Sequence, residues 1–183
     1  MSSVDPQALR DLLDREAIRE CLYRYCRGID RLDEAALRSA YWPDGTDHHG
    51  AYQGSASGFI EMALVKLRNA GRMIHQISNI LIELRGSVAA VESSFLAFQQ
   101  DLDAQGQPVQ TLLLGRYVDR FEQREGQWRV AARTVVYDWM NVSPLPNALT
   151  PEDFGPRQPT GARAPHDPWY ALLASLPPAG DAA

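Results

Sequence analysis

The sequence predicts an α+β fold in which early helices cover the concave face of one curved antiparallel sheet. Three observations predict it. Apolar residues recur at three- and four-residue steps through the first third of the chain, the period of helices with one buried side. The pattern then changes to long β-rich runs. Only "RGS", "DAQGQP" and "EGQ" separate those runs, short turn-rich links that suit hairpins. Helices first and hairpin-linked strands afterwards leave a sheet with one face to bury, and helices to bury it.

Each element has its own signal. Leu9, Leu12, Leu13, Ile18, Leu22 and Cys26 stripe one side of a helix over residues 6–27, with Gly28 where a helix C′ residue falls. Asp33 is placed to cap a short second helix over "EAALRSAYW", and Ser57 a third over "GFIEMALVKLRNAG", closed by Gly71. The strands read "RMIHQISNILIEL", "VAAVESSFLAFQQDL", "VQTLLLGRYVDRFEQR" and "QWRVAARTVVYDW". Beyond Asn141 the chain is dense in Pro and Gly, so residues 1–142 are expected to form one domain and 143–183 an extended tail. Within the tail, "WYALLASL" suits a short helix docking on its own domain or a neighbouring subunit; disorder is the alternative.

Bulk composition narrows the function classes. With 183 residues, 45% hydrophobic and 22% charged, the chain can bury one substantial core. A net charge of −5 and the lack of any Lys/Arg stripe argue against nucleic acid and anionic membranes as partners. No apolar run reaches the ~20 residues that cross a bilayer, and the N-terminus lacks a basic-then-apolar order, so a cytoplasmic protein is expected. Cys21 and Cys26, five apart on a helix, fall on different azimuths and read as reduced thiols.

One position breaks the pattern. The stripe Ile18, Leu22, Cys26 continues to Asp30, a carboxylate where an apolar side chain should follow. Either the helix has ended and Asp30 is a solvated turn residue, or it is buried with a partner. His75, near the start of the first long strand, is the natural partner: a carboxylate accepting from one ring nitrogen sets the tautomer and leaves the other as a base. His75 is otherwise a structural or surface histidine.

Other candidates are weaker. Asp47 and His49 share a strand face that His48 does not, so a metal site of Asp47, His49 and His75 is a minor alternative. Arg129 and Arg133 share a face by parity; an arginine turned into a cavity clamps an anion or carbonyl, and otherwise makes a surface salt bridge. Tyr25, five residues before Asp30, is a core tyrosine or carries its hydroxyl into the same cavity. There is no glycine-rich phosphate loop, C-x-x-C, H-E-x-x-H or serine elbow, so no nucleotide or flavin cofactor and no metal is expected.

Taken in order, "RGIDRLD", "YWPDGTDHHGAYQGSASGF", "MIHQISNILIEL", "VAAVESSFLAF" and "GQWRVAARTVVYDW" resemble the SnoaL-like branch of the nuclear transport factor 2-like superfamily over roughly residues 8–142. The resemblance implies a helix-filled cone with a deep apolar pocket, as in cofactor-free lyases that use an Asp–His pair. It places the helix-end aspartate on Asp30, the strand histidine on His75, a polar helper on Tyr25, and the pocket arginine on Arg133, with Arg129 as fallback. A second histidine found in some of these lyases has no counterpart in "FLAFQQDLD". The resemblance therefore implies a dehydratase-like or small-carbonyl-releasing lyase for a hydrophobic aromatic or polycyclic molecule. His49 would be a second acid/base or binding residue, and Trp42, Phe59 and Phe98 the pocket wall. An isomerase, an aldol cyclase or a noncatalytic binding module are the alternatives. A homodimer or homotrimer is expected, because the outer face of such a sheet usually finds a partner.

Overall fold

The computed structural model describes residues 5–145 and 149–177. Helix α1 spans Pro6–Arg31, with the Asp5 side chain accepting from the Gln7 N–H and Pro6 at the first helical position. It does not stop at Gly28, as expected from sequence, but ends one turn later on Leu32, which takes the left-handed conformation at φ 52°. Gly28 has a different task. A Cβ there would stand 2.8 Å from the Leu37 backbone nitrogen, so its absence lets the second helix pack against the first. Asp30 consequently lies inside the last helical turn.

The stripe predicted on α1 is buried only from Ile18 onward; Leu9, Leu12 and Leu13 are exposed. Helix α2, Glu34–Ser39, is capped by Asp33 as predicted. Helix α3, Ala56–Arg68, is capped by Ser55 rather than Ser57, the Ser55 hydroxyl accepting from the Gly58 N–H.

The sheet comprises β1 (Tyr41–His49), β2 (Tyr52–Ser55), β3 (Met73–Arg85), β4 (Val88–Leu102), β5 (Pro108–Arg124) and β6 (Gln127–Pro144), in the order β2-β1-β6-β5-β4-β3. It is curved and unclosed, an α+β architecture as predicted. The four long strands fall where the sequence placed them. The β1–β2 hairpin is additional, and β1 runs parallel to β6 while every other pair is antiparallel. Its stretch, "YWPDGTDHHGAYQGS", is too polar and glycine-rich to announce strands. The core lies between the helices and the inward face, with Ile18, Leu22, Ile60, Tyr117, Phe121 and Val130 at its centre.

An irregularity in β6 decides which side chains enter that core. Arg120 pairs with Ala132 but Phe121 with Val130, so Ala131 is an extra residue and inward parity flips after it. Trp128 and Val130 point inward before the bulge, Arg133 and Val135 after it. Arg129 and Arg133 therefore do not share a face.

The tail lies on its own chain. Arg163 donates to the carbonyls of Leu67, Arg68 and Ala70 at the end of α3, Ala164 N–H to the Arg31 carbonyl, and the Tyr170 hydroxyl to Asp33. The predicted tail helix is α4, Pro168–Ser175. Among the described residues no helix is long and apolar enough to cross a membrane.

Candidate active site

The last turn of α1 meets the start of β3 through two hydrogen bonds to one carboxylate. Asp30 Oδ1 stands 2.6 Å from His75 Nδ1, and Asp30 Oδ2 accepts from the His75 backbone N–H at 2.9 Å. Ring and backbone of His75 are thus held by the same group. A carboxylate only accepts, so Nδ1 carries the proton and Nε2 keeps a free lone pair. The His75 side chain is only 7% exposed and that of Asp30 18%.

A second polar cluster sits on the concave face, where one cross-strand row reads Ile82, Val91, Asp119, Arg133, Asp47. Arg133 binds Asp119 through both prongs, Nε at 2.8 Å and Nη2 at 2.7 Å, with both side chains fully buried. Its guanidinium carbon lies 4.1 Å from the Tyr25 ring centre and 4.2 Å from that of Tyr117. Burial alone would lower the Arg133 pKa, but the Asp119 carboxylate outweighs it and holds arginine firmly protonated. Burial also pushes the Asp119 pKa up against the pull of Arg133. Tyr25 is pushed up by burial, partly offset by Arg133, so its hydroxyl stays a donor.

His49 stacks on Phe59 at 4.5 Å, and its Nδ1 lies 3.5 Å from Asp47 Oδ1. Asp47 is buried and accepts from the Tyr41 hydroxyl at 2.6 Å.

The structure thus joins Asp30 with His75, Tyr25 with Arg133, and His49 with Phe59. Phe98 needs correction as pocket wall, whereas Trp42 does line a cavity, the one of about 350 Å³, which Asp30 and His75 do not reach. Trp42 lies between the guanidinium groups of Arg124 and Arg129, its indole N–H donating to the Glu122 carbonyl. Phe98 is on the outer face, 42% exposed, because inward positions on β4 are Val91, Ser93, Phe95 and Ala97. The inward aromatic is Phe95, stacked on Tyr117 at 4.6 Å and edge-on to Tyr137 at 6.3 Å. The expected deep pocket is also not among the three cavities described. These measure about 470, 450 and 350 Å³, and none is lined by Asp30 or His75.

Sequence reasoning missed Asp119, Tyr41, Tyr117, Ser93 and Phe95. The signal for Asp119 was an acid between two aromatics at period two, "YVDRF". Counting the hairpin from its Arg124–Gln127 closure without a bulge sets Asp119 opposite Ala132, which hides its pairing with Arg133.

Fold and geometry define a helix-covered, curved-sheet α+β domain with an Asp–His pair at the helix end. The chain belongs to the SnoaL-like domain family, whose sequence profile matches residues 10–134. None of the curated proteins compared matches it. Among solved structures it is similar to hexachlorocyclohexane dehydrochlorinase LinA-type3 from Novosphingobium barchaimii LL02, with 21% identity and a TM-score of 0.66 over 79% of this chain and 99% of that one. A protein from Novosphingobium aromaticivorans DSM 12444 provisionally described as a scytalone dehydratase gives 20% identity and 0.64, over 75% and 93%. A variant of Rv3472, a protein of unknown function from Mycobacterium tuberculosis, gives 24% and 0.62, over 75% and 78%.

Proposed function

We propose that the protein is a cofactor-independent lyase acting on a hydrophobic, aromatic or polycyclic small molecule, with His75 as general base. The observation that carries this is the double hold of Asp30 on His75, which leaves Nε2 as the one free nitrogen of an immobilised, nearly buried ring. Nε2 takes a proton from a substrate carbon. The C–H electron pair becomes the new double bond, and the adjacent C–O bond breaks as its oxygen takes the proton back from the His75 imidazolium and leaves as water. Asp30 stabilises the imidazolium so formed. The buried Tyr25 hydroxyl and the free Arg133 Nη1 are suited to oppose charge developing on a substrate oxygen. Loss of a small carbonyl fragment uses the same base.

Because the pair is so little exposed, substrate reaches it only as neighbouring side chains part. The dehydrochlorinase and dehydratase descriptions of the structural neighbours agree with this reaction type. Assembly as a homodimer or homotrimer is part of the proposal, supported by Ile74, Phe98 and Trp139 exposed on the outer sheet face.

The test is a panel of aryl alcohols, hydroxysteroids and polyketide-like ketones given to wild type, His75→Ala and Asp30→Asn proteins. Losses of about 10²–10⁴-fold in kcat are expected for His75→Ala. Folded variants that match wild type on a substrate it turns over would refute the assignment.

A further inference from the structure

We propose that Asp47 and His49 form a polar anchor on the concave face, one that holds the hydroxyl of a neutral ring-bearing ligand and turns away a carboxylate. The inference rests on the reading above that the ligand is an apolar ring compound, and it names the polar group that ligand presents.

Both side chains leave β1 on the concave side. Asp47 Oδ1 and His49 Nδ1 are buried without a hydrogen-bond partner, and they lie 3.5 Å from each other. Two unmet groups at that distance are partners whose bond shortens when the site fills. The other Asp47 oxygen is held by the Tyr41 hydroxyl. With Nδ1 turned to Asp47, His49 has Nε2 to offer, on a side chain 26% exposed and lying in an aromatic slot between Phe59 and Tyr137. A ligand ring would lie against the exposed part of this aromatic group, with its hydroxyl on Nε2.

Charge sets the selectivity. Arg133 has committed its two-pronged edge to Asp119, leaving Nη1 alone unpartnered, so it cannot clamp a ligand carboxylate from two sides. Asp47, paired with Arg133 in the β1–β6 register, is a second carboxyl on the same face of the sheet, near enough for its charge to act on Asp119. A ligand carboxylate would be the third acid beside one cation, next to the buried Asp47. A hydroxyl brings no charge. This revises the expectation that Arg133 acts as an anion clamp.

The test is isothermal titration calorimetry at neutral pH with 2-naphthol and 2-naphthoate, which share a ring system and differ in charge. Wild type is expected to bind 2-naphthol at least about tenfold more tightly. Asp47→Asn, which keeps an oxygen for Tyr41, should narrow that ratio by improving 2-naphthoate. His49→Gln, at a partly exposed ring, should weaken 2-naphthol about fivefold, the worth of one net hydrogen bond. It also serves if Asp47→Asn does not fold. His75→Ala should keep the wild-type ratio, so failure of the anchor is read separately from failure of the base. Equal affinity for the two probes, no binding of 2-naphthol, or a ratio unmoved in both Asp47→Asn and His49→Gln overturns the proposal.

Discussion

Replacing Asp119 with leucine should be among the most damaging single changes in the protein. Both partners of the Arg133–Asp119 pair are fully buried, and two hydrogen bonds of 2.7 and 2.8 Å join them. Asp119→Leu strands a guanidinium whose Nε and Nη2 lose their acceptors while Nη1 already has none. Removing one member of a buried pair costs about 3–5 kcal/mol, a large part of the roughly 5–15 kcal/mol that stabilises a domain. At about 2–4 °C per kcal/mol for a chain of this size, Tm should fall by about 6–20 °C. The double variant Asp119→Leu with Arg133→Met removes both charges at similar volume and should recover most of the loss, since the two charges are costly to bury in the first place. Differential scanning calorimetry and urea unfolding measure all three variants. A cost below about 1 kcal/mol for the single change, or a double variant no more stable than the single one, would refute the reasoning.

Gly28→Ala should destabilise the protein by about 1–3 kcal/mol despite alanine's better helix propensity, because the added methyl stands 2.8 Å from the Leu37 nitrogen and must push α2 away; urea midpoints read this, and an unchanged or higher midpoint counts against it. The thiols should be silent in the native protein: burial pushes Cys21 up to about 11 and Cys26 to about 12, so the reactive thiolate is absent near pH 8. Ellman's reagent should find neither cysteine before denaturation and both after it, and rapid native labelling would contradict the burial. Since these pKa values are raised by folding, their contribution to stability is complete below the ordinary thiol pKa and is lost as pH climbs toward 11–12.

The elements most legible in the sequence were those specified by local pattern. Long β-rich runs marked β3 to β6, and short turn-rich links joined them as hairpins. Asp33 capped α2 as its position before "EAAL" implied. Less legible were features in which a local signal served a long-range purpose. Gly28 looked like a helix stop because glycine commonly is one, yet its role is the close approach of α2. Phe98 looked like pocket wall because it is aromatic, but strand parity turns it outward.

The sequence by itself determined the fold class and the placement of the long strands, and raised Asp30 as an acid on an apolar stripe, because periodicity and its breaks are properties of neighbours along the chain, whereas the pairing of Asp30 with His75 was implied by the family resemblance. Tertiary structure decided the rest. One extra residue at Ala131 turned Arg133 inward and Arg129 out onto Trp42, gave Arg133 to Asp119, and set Asp47 beside it. No local pattern foretells a bulge, since it costs one unpaired residue in the ladder and is repaid only by what it brings together across the sheet.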